Sequence, residues 1–69
     1  MENMQLATRI RAFRKLKGFT QQQLASEMGV SLVVLGEIER GHRQIEDQIL
    51  NKIADALRIT IDDLTNNVS

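Results

Sequence analysis

Between Gly18 and Gly41 the apolar residues fall at helical spacing in two short runs, and the break between them, Gly29-Val30 before Ser31, is two residues long. A gap that short joins two brief helices by a tight turn. Thr20-Gln21-Gln22-Gln23 reads as a capping box, with the Thr hydroxyl accepting from the third helical N–H while Gln23 reaches back, so the first of the pair begins there. Leu24, Ala25 and Met28 form its inward stripe, and Gly29 closes it. Ser31 is a good N-cap for the second, in which Leu35 and Ile38 point inward as far as about Arg40 before Gly41 ends it.

The same reading extends to both sides. Leu6, Ile10 and Phe13 mark an amphipathic helix from about Met4 to Lys17, stopped by Gly18. After a loop from Gly41 to Ile45, the residues Ile49, Leu50, Ile53, Ala54 and Leu57 predict a fourth helix. Thr60-Ile61-Asp62-Asp63 is a second capping box and starts a short fifth helix through Leu64, with a polar tail from Thr65 to Ser69 expected to fray. Strict two-residue alternation is absent, so the expected fold class is all-α: five short helices around one core.

A chain of 69 residues is too short for two domains, and residues 1–69 are expected to form one, of modest stability. The absence of cysteine excludes disulfides, thiolate metal sites and cysteine nucleophiles, and a single histidine, His42, lacks the neighbours that a metal site or a His-dependent reaction needs. Neither a nucleophile with its base nor a phosphate-binding glycine loop can be assembled, and the adjacent Asp62 and Asp63 read as a helix cap. The expectation is therefore no enzymatic activity, no metal and no cofactor. No apolar run is long enough to span a bilayer and no signal-peptide core lies near Met1, so a soluble cytoplasmic protein with no membrane association is expected.

The net charge of zero argues by itself against simple polyanion binding, because phosphate affinity comes from clustered Lys and Arg. The distribution reverses that judgement. Arg9, Arg11, Arg14, Lys15, Lys17, Arg40 and Arg43 outnumber Glu2, Glu27, Glu37 and Glu39 in the front of the chain, whereas Lys52 and Arg58 are outnumbered by Glu46, Asp47, Asp55, Asp62 and Asp63 in the back. A tight pair of helices at residues 20–40 is also the geometry that presents its second helix to the DNA major groove.

The run Gly18-Phe19-Thr20-Gln21-Gln22-Gln23-Leu24-Ala25, then Gly29-Val30-Ser31, then Ile38-Glu39-Arg40-Gly41, resembles the phage-repressor-type (Xre, Cro/CI-like) helix-turn-helix family. Ile10-Arg11 with Arg14, Lys52-Ile53-Ala54 with Ala56-Leu57, and Asp62-Asp63-Leu64 extend the resemblance over nearly the whole chain. It implies a five-helix lambda-repressor-like domain acting as a sequence-specific transcriptional regulator, a repressor, bound as a homodimer to a near-palindromic operator in double-stranded DNA. The recognition helix would run from about 31 to 40, with half-sites roughly one DNA turn, ~34 Å, apart. The residues so implicated in DNA binding are Gln21, Gln22, Ser31, Leu32, Val33, Glu37, Arg40, His42 and Arg43. Gln21 matches a backbone-contacting position, and its alternative is a solvated first-turn glutamine. Arg40 and Arg43 match sugar-phosphate contacts, and Arg40 also suits a helix C-terminus as a cation. Arg14 and Glu39 match a structural ion pair.

The chain departs from that family where DNA is read. Leu32, Val33 and Val34 stand where Gln, Ser, Thr or Arg are usual, Glu37 stands where Lys, Arg or Gln are frequent, and Gly36 interrupts a helix interior. Three readings of the apolar group stay open. It touches thymine methyls, with Gly36 admitting close approach; it packs on a protein partner, as in an antitoxin or co-regulator; or it is tolerated surface. Binding that leans on backbone contacts and DNA shape is a further possibility. Ile45-Glu46 replaces a common Pro-Ser pair, which suggests an exposed Ile45, and Arg58 replaces a glycine, which suggests mild strain. Ile59, Ile61 and Leu64, with Val68, serve either a two-fold contact or closure of the monomer core.

Overall fold

Leu6, Ala7, Ile10, Phe13 and Arg14 share one side of the first helix, and that side alone is turned away from solvent. The computed structural model describes residues 4–65, which form α1 (Met4–Leu16), α2 (Gln21–Met28), α3 (Leu32–Glu39), α4 (Asp47–Leu57) and α5 (Ile61–Thr65). Val68 and most of the polar tail lie outside the described residues.

One closing device ends each of the first four helices. At α1, the Phe19 N–H donates to the Arg14 carbonyl at 3.0 Å and Gly18 N–H to that of Lys15 at 3.0 Å. Val30 and Gly29 repeat this at the end of α2, His42 and Gly41 at the end of α3, and Ile59 and Arg58 at the end of α4. These are Schellman motifs, which satisfy orphan carbonyls but need a left-handed residue just past the helix. Glycine supplies it three times, with Gly29 at φ 73° beginning the turn into α3. In the fourth case the residue is Arg58, at φ 59° and ψ 46°, as the missing glycine suggested.

A left-handed conformation costs an L-residue about 1–2 kcal/mol, partly offset in glycine by the greater freedom of its unfolded state. The exposed Arg58 makes no side-chain hydrogen bond among the described residues. Arg58→Gly is therefore expected to stabilise the fold by about 0.5–1 kcal/mol, raising Tm by several degrees. An unchanged or lower Tm in a thermal melt followed by far-UV circular dichroism would refute it.

Both predicted capping boxes form. Gln23 N–H donates to Thr20 Oγ1 at 3.1 Å while Thr20 N–H donates to Gln23 Oε1 at 2.8 Å, and Thr60 and Asp63 make the same exchange at 3.0 and 3.1 Å. Ser31 Oγ accepts from Val34 N–H at 3.1 Å and caps α3. The core is built on Ile10, Leu24, Leu35, Ile38, Ile53, Leu57 and Leu64, all fully buried, with Ala25, Met28 and Ala54 between them. α2 packs on α3 and α4, and α1 closes over α3, α4 and α5.

Several sequence expectations change here. Val34 is half-buried against this core and does not belong to an exposed apolar face with Leu32 and Val33. Ile45 also packs on the core and is not an exposed residue. Leu64 is fully buried within the single chain, so it has no surface to offer a second copy, and Ile59 and Ile61 are half-buried against the same core.

Candidate nucleic-acid interface

The small Ala25 and the branched Leu35 and Ile38 share the core under α2 and α3, so the two helices meet through the short Gly29-Val30 turn with their outer sides free. What fixes α3 from the other side is a polar network. Arg14 of α1 donates through Nε to Glu39 Oε2 at 2.6 Å and through Nη2 to Oε1 at 3.2 Å, and its Nη1 donates to the Phe19 carbonyl at 2.9 Å. Arg14 is 9% exposed and Glu39 8%, so the implied structural ion pair exists and is buried. The two-pronged geometry needs the planar guanidinium fork, which a lysine lacks.

Gln21 joins this network, its Nε2 donating to Glu39 Oε1 at 3.2 Å. It is half-buried, not the freely solvated glutamine that was one alternative, and the second N–H of its amide is left for an outside acceptor. Gln22 and Ser31 are exposed at the N-terminal ends of α2 and α3, where backbone N–H groups and the helix dipole favour an anion.

The outer side of α3 carries Leu32 at 47% and Val33 at 69% exposure, with Glu37 beside them. Arg40, His42 and Arg43 follow, all exposed at its C-terminal end. Glu37 does not stand as an uncompensated negative charge, because Arg43 Nε donates to its Oε1 at 3.2 Å. With both partners more than a third exposed, such a pair contributes at most about 1 kcal/mol and is readily exchanged for another anion. Gly36 is not an open notch: it is buried, and the side chain of Arg40 covers it.

Three features escaped sequence reasoning. The Gln21–Glu39 bond spans 18 positions with no local signal. Arg9, counted above among the basic residues in the front of the chain, donates through Nε to the Leu64 carbonyl at 2.8 Å and through Nη2 to that of Asp63 at 2.6 Å. It thereby caps the C-terminal carbonyls of α5 from α1, which removes one cation from the surface available to phosphate. The cover of Gly36 by Arg40 did have a signal, since side chains four apart on a helix are neighbours. Among the described residues no cluster could hold a metal ion, and no helix is long and apolar enough to cross a membrane.

A short turn between capped helices, held by a buried ion pair and followed by exposed cations, is the arrangement of a helix-turn-helix domain. The family model described as helix-turn-helix matches residues 10–64, and the chain belongs to the Xre, Cro/CI-type family of helix-turn-helix DNA-binding transcriptional regulators, which are not enzymes. It is 54% identical over 56 residues to the uncharacterized HTH-type transcriptional regulator YazB of Bacillus subtilis (strain 168), covering 81% of each chain. Identity to the transcriptional repressor RstR of the cryptic phage CTXphi in Vibrio cholerae is 41% over 61 residues, which cover 88% of this chain and 54% of RstR. The crystal structure of the restriction-modification controller protein C.AhdI from Aeromonas hydrophila matches with a TM-score of 0.85 at 33% identity, over 88% of this chain and 92% of that one.

Proposed function

We propose that this chain is a repressor that binds a near-palindromic operator as a homodimer, with α3 in the major groove and the N-terminal ends of α2 and α3 against phosphates. The observation that carries this reading is the orientation of α3. Its inner residues are locked into the core and to Arg14, while Leu32, Val33, Glu37 and Arg40 face outward beside His42 and Arg43. The side chains that would meet thymine methyls and phosphates thus lie on the side of α3 turned away from the core.

The assignment as a repressor draws on the similarity to RstR, named a repressor, and the dimer draws on Ile59 and Ile61, which the monomer core covers only in part. Recognition helices in such a dimer would lie roughly one DNA turn, ~34 Å, apart. A second reading, a protein-interaction module such as an antitoxin or co-regulator, is favoured by the exposure of Leu32 and Val33.

Selection of bound duplexes from a randomised pool, followed by titration of the enriched duplex at several salt concentrations, separates the two. The expected result is a near-palindrome bound with a steep salt slope, about −0.9 in log K per phosphate neutralised. Weak binding to every duplex, with no enrichment, would instead support the interaction module.

A further inference from the structure

Leu32, Gly36 and Arg40, four apart, fall in one row that runs along α3 to its C-cap. A side chain on a helix leans toward the N-terminus, over the turn before its own Cα, and at Gly36 there is nothing to oppose it. Arg40 uses that room. A Cβ built on Gly36 would stand 3.2 Å from Arg40 Nη1 and 3.9 Å from its Cζ, and Gly36 is buried under this cover. The guanidinium therefore lies at mid-helix, about one turn, ~5.4 Å, back from the end of α3 that its backbone occupies. Among the described residues it has no hydrogen-bond or ion-pair partner, in contrast to Arg43, which is held by Glu37.

We propose that Arg40 is a specificity-determining residue that reads a guanine in the major groove, and that Gly36 is the gap that lets it do so. This rests on the DNA-binding reading above. An arginine gripping phosphate from beyond the helix end has no use for a gap at position 36, and glycine weakens a helix interior. A guanidinium laid across the middle of the outer face instead presents its planar fork where base edges pass, and guanine offers the matching pair of acceptors, O6 and N7. Leu32, one turn along the same row, is too apolar to supply that contact, and Glu37 is an acceptor with no donor for guanine.

The test uses the duplex enriched from the randomised pool and a set of single base-pair changes across one half-site. Affinities are measured for the wild type, Arg40→Ala and Gly36→Ala, and circular dichroism confirms that each variant is folded. The wild type is expected to lose roughly 5- to 150-fold in affinity when one particular G·C pair is changed. Arg40→Ala abolishes that discrimination and leaves the preferences at other positions in place. Gly36→Ala melts no lower than the wild type yet weakens the same discrimination, because its new Cβ would stand 3.2 Å from Nη1 and the guanidinium must shift by a few tenths of an ångström.

A uniform loss across all duplexes in Arg40→Ala, with the salt slope reduced by about 0.9 per protomer, identifies a phosphate contact and overturns the assignment. An unchanged base profile in Arg40→Ala overturns it as well. A pool that yields no enriched duplex removes both this assignment and the reading beneath it, whereas enrichment with a uniform loss removes only this one.

Discussion

Arg14→Met is expected to destabilise the protein by about 3–5 kcal/mol, which for a domain of this size is most or all of the stability its core supplies. The Glu39 side chain is 3% exposed and would keep only the N–H of Gln21 as a partner after the guanidinium is removed. A carboxylate stripped of water and of its counter-charge carries nearly the full cost of desolvation. The Phe19 carbonyl loses its donor at the same time. In urea denaturation followed by circular dichroism, the single variant should be largely unfolded at 25 °C. The double variant Arg14→Met/Glu39→Leu, which replaces the pair by apolar groups of similar volume, should recover most of the loss. A single variant that loses less than about 1 kcal/mol would mean that the pair behaves like one in solvent, and the account of how α3 is anchored would fall.

Leu64→Ala is the second large effect, at about 2–5 kcal/mol, and it decides between two roles for the end of the chain. Leu64 is fully buried in a single copy, between α1 and α4. Truncating it leaves a cavity in that copy, so Tm should fall by more than ~8 °C, by the same amount at protein concentrations a hundredfold apart. A residue at a two-fold contact behaves differently. Its truncation weakens association, and the deficit then depends on concentration by mass action. An unchanged Tm, or a deficit confined to one end of the concentration range, would return Leu64 to the interface. Ile59 and Ile61 are only half-buried, so a change to Ser there should weaken the proposed dimer at a smaller cost to the core than Leu64→Ala.

The helices were legible because their boundary signals are local. Thr20 with Gln23, Ser31, Thr60 with Asp63, and the glycines at 18, 29 and 41 act within a few residues of the positions they terminate. The inward stripes of α2, α3 and α4 follow from the 3.6-residue period alone, and Leu24, Leu35, Ile38, Ile53 and Leu57 are all buried. Leu64 and Val34 were harder. A leucine near the end of a five-residue helix and a valine at the third position of α3 are apolar on any reading, and whether they are covered is settled by the packing of helices far apart along the chain.

Among the candidate contacts, the sequence by itself determined which positions can lie outside the core: Gln22, Leu32, Val33, Glu37, Arg40, His42 and Arg43 follow from helical phase and turn placement. Only the tertiary structure decided how the charged and polar groups are occupied. Arg9 is taken up by carbonyls 54 and 55 positions away, Gln21 by Glu39 and Glu37 by Arg43, while among the described residues the guanidinium of Arg40 has no partner. The reason is the reach of the two kinds of interaction. Capping and periodic burial act over one or two turns of backbone, whereas a guanidinium on a long flexible stem takes whichever acceptor packing brings to it.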